Sequence, residues 1–192
     1  IMSAENLFIR AGNEAIKINK PHGVDFHLTK QGSDWLWAMF SVFGCLAIVY
    51  VAIFLFTEVR SQQTKPITRY ALAAPLLISI FEFFAYYLYA SNLGWTGIEA
   101  EFGHLHVDPR ITDEKHGVRQ IFYQKYVVWV LSWPCLLFLQ ELTGLSLSQE
   151  SMDNFSAMEL IHSLLVQIVG TEYWVVSLLI GALIKTTYKW GP

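Results

Sequence analysis

Glu82 and Glu172 are the only formal charges in four long apolar stretches, Trp35–Thr57, Tyr70–Ser91, Tyr126–Gln140 and Leu160–Ile184. Glu82 lies near the middle of the second stretch. On a helix, Ser79, Glu82, Tyr86 and Tyr89 fall within one stripe about 80° wide. Such a stripe must face protein, because an unsatisfied polar group in hydrocarbon costs several kcal/mol. Two chemistries fit it. One is a proton or ligand site built on the carboxyl; the other is a neutral carboxyl, hydrogen-bonded to Tyr or Ser, that holds helices in register. Glu172 sits midway along the fourth stretch. Gly170, Ser177 and Gly181 lie within about 40° of one another there, a small-residue seam suited to close helix packing. Glu172 points roughly away from that seam, toward a further helix or a hydrated spot. Between the second and third stretches, Glu101, His104, His106, Asp108 and His116 offer metal-ligand chemistry. Their His-x-His spacing is a weak metal signature, so the segment reads as a solvated loop and no metal is expected. No glycine-rich phosphate loop, nucleophile elbow or zinc-protease motif is present, and no enzyme activity is expected.

The elements that position these residues follow from composition. The 192 residues carry 13 Lys plus Arg against 16 Asp plus Glu, for a net charge of −3; 54% are hydrophobic and 15% charged. A soluble domain has roughly 25% charged residues, and a disordered chain lacks this apolar content. The near-neutral balance gives no reason to expect a nucleic-acid partner. A membrane helix needs about 20 apolar residues, so the chain is expected to be an all-α membrane protein. Its spans are expected at 35–57, 70–91, 121–143 and 157–185, after a polar tail over 1–34. Trp35, Trp37, Trp95 and Trp190 lie near the span edges, as interfacial aromatic belts do, and membrane lipids are the first expected partner.

Local signals add detail. Pro21-His22-Gly23 predicts a turn before an extended Val24–Thr29. Ser33 or Asp34 is the expected N-cap of the first span and Thr68 of the second. The Asn92–Gln120 segment, with Gly94, Gly97, Gly103, Pro109 and Gly117, reads as a loop in which Leu105–Val107 pairs as a short hairpin. Cys45 and Cys135 fall in apolar windows and read as buried small hydrophobes rather than disulfide partners. No apolar signal sequence precedes the first span, which must serve as its own membrane signal. Arg60, Lys65 and Arg69 favour a cytoplasmic first loop, whereas the loop before the fourth span has no Lys or Arg and points the other way. Charge alone leans only toward an outside N-terminus. Ile1 precedes Met2, and the sequence stops shortly after a span, so it reads as part of a longer protein.

Lys125-Tyr126-Val127-Val128-Trp129-Val130-Leu131-Ser132-Trp133-Pro134 resembles the third helix of the microbial rhodopsins. That family's pattern is Arg-Tyr-x-Asp-Trp-x-x-Thr-x-Pro, with a second acid five residues after the proline in pumps. Ser33-Asp34-Trp35-Leu36-Trp37, Arg69-Tyr70-Ala71 and Gly181-Ala182-Leu183-Ile184-Lys185 agree with the first, second and fourth helices. The similarity is strongest to heat-shock members of the fungal opsin-related branch. It runs over Pro21–Gly44, Phe81–Phe102, Arg119–Leu139 and His162–Gly191. The resemblance implies a seven-helix bundle of which these residues are the first four helices, with the N-terminus outside and residence in the fungal plasma membrane.

Carried over residue by residue, the resemblance shows an altered site. Tyr126 and Pro134 are retained, Trp129 takes the place of the tryptophan that flanks retinal, and Ser132 that of the threonine. Lys125 replaces the arginine, Val128 the proton-accepting aspartate and Leu139 the proton-donor acid. Neither valine nor leucine binds a proton, so a pump's relay is broken at both ends. The Schiff-base lysine belongs to the seventh helix and is missing from the branch, so no cofactor, retinal included, is expected. The implied function is a non-photoactive stress-response membrane protein that restrains the plasma-membrane proton-pumping ATPase. The alternatives are a membrane chaperone, or an ion or small-ligand transporter or sensor with a pathway near Glu82.

Overall fold

A computed structural model describes residues 13–60, 66–99, 117–145 and 156–184. In chain order they form α1 (Ala15–Ile18), α2 (Lys30–Arg60), α3 (Pro66–Ala90), β1 (Trp95–Glu99), β2 (Val118–Phe122), α4 (Gln124–Leu145) and α5 (Ala157–Leu183). The fold is all-α apart from one small hairpin, as the resemblance implied.

The helix starts differ from the expected ones for local reasons. Thr29, not Ser33 or Asp34, caps α2: its hydroxyl accepts the Gly32 N–H at 3.1 Å. Ser33 lies inside the helix, where its hydroxyl donates to the Ala90 carbonyl at 2.7 Å and accepts from Asn13 at 2.6 Å. Pro66 opens α3 at the one helical position where a missing N–H costs nothing, so Thr68 falls within the first turn rather than before it. Helix α4 starts at Gln124, three residues after Ile121, because Ile121 and Phe122 belong to β2. Ser156 caps α5 by accepting the Glu159 N–H at 3.5 Å.

The helices α2 to α5 have 31, 25, 22 and 27 residues. At 1.5 Å per residue they are roughly 33–46 Å long, enough to cross a hydrocarbon core of about 30 Å. All four are apolar enough to span a membrane. Large apolar side chains such as Ile48, Val59, Val166 and Tyr173 stand on their outer faces. In water this much exposed apolar surface would be a liability; in lipid it is solvated. Consecutive long helices pack as neighbours, α2 on α3, α3 on α4 and α4 on α5.

Between α2 and α3 the packing is aromatic. Phe40 stacks on Phe83 with ring centroids 4.3 Å apart, and Phe43 stacks on Tyr86 at 5.3 Å. Gly44 permits this approach, since a Cβ there would lie 3.0 Å from the Phe83 ring. Cys45 is exposed on the outer face of α2, so the expectation of burial fails for it; Cys135 is half-buried, and both are free thiols.

A cap covers the end of the bundle where α3 finishes and α4 starts. The segment expected to be an irregular loop instead supplies an antiparallel hairpin, with Trp95 opposite Phe122 and Glu99 opposite Val118. The Leu105–Val107 pairing falls outside the described residues. Asn92, in the left-handed region at φ 58°, and Gly94, at φ 68°, make the turn from α3 into β1. A Cβ on Gly94 would run into the Gln124 side chain. The N-terminal segment docks onto the hairpin: the Asp25 and Phe26 N–H groups donate to the Val118 carbonyl, and the Gln120 N–H to that of Phe26. The expected extended stretch thus forms a single parallel bridge, Phe26 to Arg119, after a bend at Gly23, φ 69°.

At the opposite end, Ile67, Leu142, Leu160 and Leu164 form a buried cluster with Ala71, Phe138, Leu145 and Ile168 against it. These residues tie the start of α3, the end of α4 and the start of α5 together. An exposed ion pair, Arg69 to Glu58 at 2.7 Å, links α2 to α3 there.

Candidate functional site

The α3–α4 seam brings Glu82 to a cavity of about 260 Å³ lined by Ile78, Glu82, Trp129, Ser132, Trp133 and Leu136. The helical period explains the set. Ile78 and Glu82 are four apart on α3, and Trp129 with Trp133, and Ser132 with Leu136, are four apart on α4, so each pair shares a face. Ser132 is 9% exposed, and its hydroxyl has no hydrogen-bond partner among the described residues. The Glu82 carboxyl is near enough to interact with it but is not in hydrogen-bond geometry.

The polar stripe on α3 divides. Ser79 is buried, and its hydroxyl donates to the Pro75 carbonyl at 2.7 Å, so it is spent on its own helix. Tyr86 turns toward α2, stacking on Phe43, while Tyr89 packs edge-on to Phe122 of the hairpin at 5.7 Å. The two tyrosine rings meet edge-on at 5.8 Å. Of the four, Glu82 is the one that lines the cavity against α4.

Of the motif residues, Lys125, Val128, Trp129, Ser132 and Leu139 share one side of α4, with Tyr126 beside it and Pro134 on the opposite face. Tyr126 and Val128 are buried, and Val128, 7% exposed, brings no ionisable group into the helix contacts. Lys125 lays its ammonium over the Tyr126 and Trp129 rings, at 5.1 and 4.9 Å from their centroids, a cation–π arrangement. Trp129 is in turn stacked on Trp174 of α5 at 5.9 Å with the planes 7° apart, and Trp133 meets Trp174 edge-on at 5.8 Å. Pro134 lies inside α4, and Leu139, farther along, is half-buried. Sequence reasoning missed Trp133 and Trp174 as site residues. The signal for Trp133 was its spacing of four from Trp129; Trp174 had none, because only tertiary packing sets it against them.

Glu172 is separate from this cavity. One of its carboxyl oxygens is buried without a hydrogen-bond partner among the described residues. The seam of small residues on α5 is open at Gly170, where nothing lies within 4 Å of an added Cβ. The His and acid residues from Glu101 to His116 lie outside the described residues. Among the described residues no group of three metal-ligating side chains forms.

Comparison with known proteins shows what the chain and its fold are similar to. No protein-family model matches the chain. The 30 kDa heat shock protein of Saccharomyces cerevisiae is 57% identical over 179 residues, covering 93% of this chain and 52% of that protein. The opsin-like protein carO of Fusarium fujikuroi is 34% identical over 195 residues, covering 98% of this chain and 54% of that protein. The chain thus spans about half the length of the curated relatives it matches. Among solved structures, the light-driven proton pump rhodopsin of Coccomyxa subellipsoidea superposes with a TM-score of 0.60 at 21% identity, over 86% of this chain and 59% of that one.

Proposed function

Because the chain belongs to the fungal opsin-related branch of the microbial rhodopsin family, we propose that the whole protein is a non-photoactive, opsin-like stress-response protein. In this reading it resides in the plasma membrane with its N-terminus outside, and restrains the proton-pumping ATPase there by lateral helix contact. The observation that carries the non-pumping part is Val128, apolar and buried where a pump of this family holds its proton acceptor. Leu139 at the donor position supports the same reading, since a hydrocarbon side chain exchanges no proton. Retinal would supply light absorption if bound, but the residues suit it poorly. Trp129, the expected wall of its site, has Trp174 stacked on it and Lys125 over its ring. Heat-shock character, the ATPase as partner and the plasma membrane come from the likeness to the yeast protein and the branch it belongs to.

Incubating the full-length protein with all-trans-retinal is expected to give no hydroxylamine-sensitive visible band, and illuminated vesicles are expected to show no pH change. A stable visible band would end the non-photoactive reading.

One observation favours a second reading, an ion or small-ligand pathway near Glu82. A carboxyl and a buried, unpartnered hydroxyl share a cavity inside a membrane bundle, and intramembrane carboxyls concentrate on such pathways.

A further inference from the structure

The Glu82 cavity holds a carboxyl and a hydroxyl, and the hydroxyl has no hydrogen-bond partner among the described residues. Ser132, which carries it, is nine-tenths buried, and a ligand donor or acceptor in the cavity would relieve the unpaired state. The two ion pairs among the described residues are Lys17 with Glu14 and Arg69 with Glu58, so no described cation pairs with Glu82. Lys125, the nearest basic residue along α4, is engaged over the Tyr126 and Trp129 rings. Around the carboxyl and hydroxyl stand two indoles and the side chains of Ile78 and Leu136. Acceptor oxygens at one spot, aromatic walls and an aliphatic remainder complement a cation with a short hydrocarbon tail. At about 30 Å³ per water-sized group, the volume holds roughly eight non-hydrogen atoms.

Resting on the second reading above, we propose that this cavity is a binding site for a primary alkylammonium, its nitrogen donating to Glu82 and Ser132 and its chain lying against Ile78, Leu136 and the indoles of Trp129 and Trp133. A bilayer-soluble amine reaches such a site through the lipid, between α3 and α4. The neutral alcohol of the same length would place one donor there and leave the carboxylate without a counter-charge.

The test is a titration of the full-length protein in lipid nanodiscs with n-hexylamine at neutral pH, followed by tryptophan fluorescence. Trp129 and Trp133 line the cavity and report its occupancy. The expected result is a saturable change that Glu82→Gln weakens at least tenfold and Ser132→Ala about threefold, with n-hexanol at least tenfold weaker than the amine. Equal binding of hexanol and hexylamine would overturn the site, as would an undiminished response in Glu82→Gln, or no saturable change in protein of unaltered circular dichroism. If Glu82→Gln does not fold, the Ser132→Ala and hexanol comparisons still decide. Amine binding that depends on Glu82, in a protein whose ion flux is unaffected by Glu82→Gln, would support the site and reject the pathway.

Discussion

Asn92→Ala is expected to destabilise the full-length protein by about 3–4 kcal/mol and to free its N-terminal segment for proteolysis. Asn92 is 1% exposed and joins three pieces of chain. Its amide donates to the Asn19 carbonyl at 2.7 Å and accepts from the Gln120 side chain at 2.5 Å, while its backbone carbonyl accepts from the Trp95 indole at 3.0 Å. Gln120 in turn accepts from the Leu28 N–H at 2.9 Å, so the amide network reaches the segment leading into α2. Alanine would leave two half-buried partners, the Asn19 carbonyl and the Gln120 amide, without Asn92, at about 1 kcal/mol each. It would also hold the φ of 58° without the local polar contacts that let Asn visit the left-handed region, where a side chain costs roughly 1–2 kcal/mol. Asn92→Gly separates the two effects, since it keeps the backbone geometry and loses only the amide. It is expected to recover about 1 kcal/mol of the loss. Thermal unfolding in detergent and limited proteolysis read both; an alanine variant as stable as the parent would mean that the cap does not hold the bundle end.

The second large effect is expected at the other end. Leu164 is 1% exposed and packs among Ile67, Leu142 and Leu160 where three helices meet. Leu164→Ala is expected to cost about 2–5 kcal/mol, the usual range for a cavity left in a packed core. Val166, two residues on and 82% exposed, faces lipid in the membrane reading, where hydrocarbon replaces hydrocarbon. Val166→Ala is therefore expected to change stability by less than about 0.5 kcal/mol. Equal losses from the two substitutions would contradict the assignment of these faces.

What could be read from the chain followed the physics of each signal. Long uncharged runs mark membrane helices almost regardless of context, so the four helices were legible, and a ten-residue motif in the third was specific enough to place the family. Helix starts were less so, because capping is a competition among neighbouring residues: Thr29 takes the role expected of Ser33, whose hydroxyl is drawn to Ala90 across the bundle. The hairpin was hidden because its strands, Trp95–Glu99 and Val118–Phe122, are separated by a long polar stretch instead of a short turn signal. In the site, a period of 3.6 put Ser79, Glu82, Tyr86 and Tyr89 on one stripe, yet it could not say which of them would turn toward α4. Ser79 spends its hydroxyl on Pro75 and the tyrosines find aromatic partners, which leaves Glu82 against Ser132. Trp174 reaches the site only through the packing of α5 on α4, a contact with no local signature.

In the proposed function, an opsin bundle without a proton relay restrains another protein's proton pumping under stress. The most direct measurement is the ATP-hydrolysis and proton-pumping rate of the plasma-membrane ATPase, co-reconstituted in vesicles with and without the full-length protein. A lower pumping rate is expected when the protein is present, in the dark and in light alike. An unchanged rate at saturating protein, or a change that appears only on illumination with retinal, would contradict it.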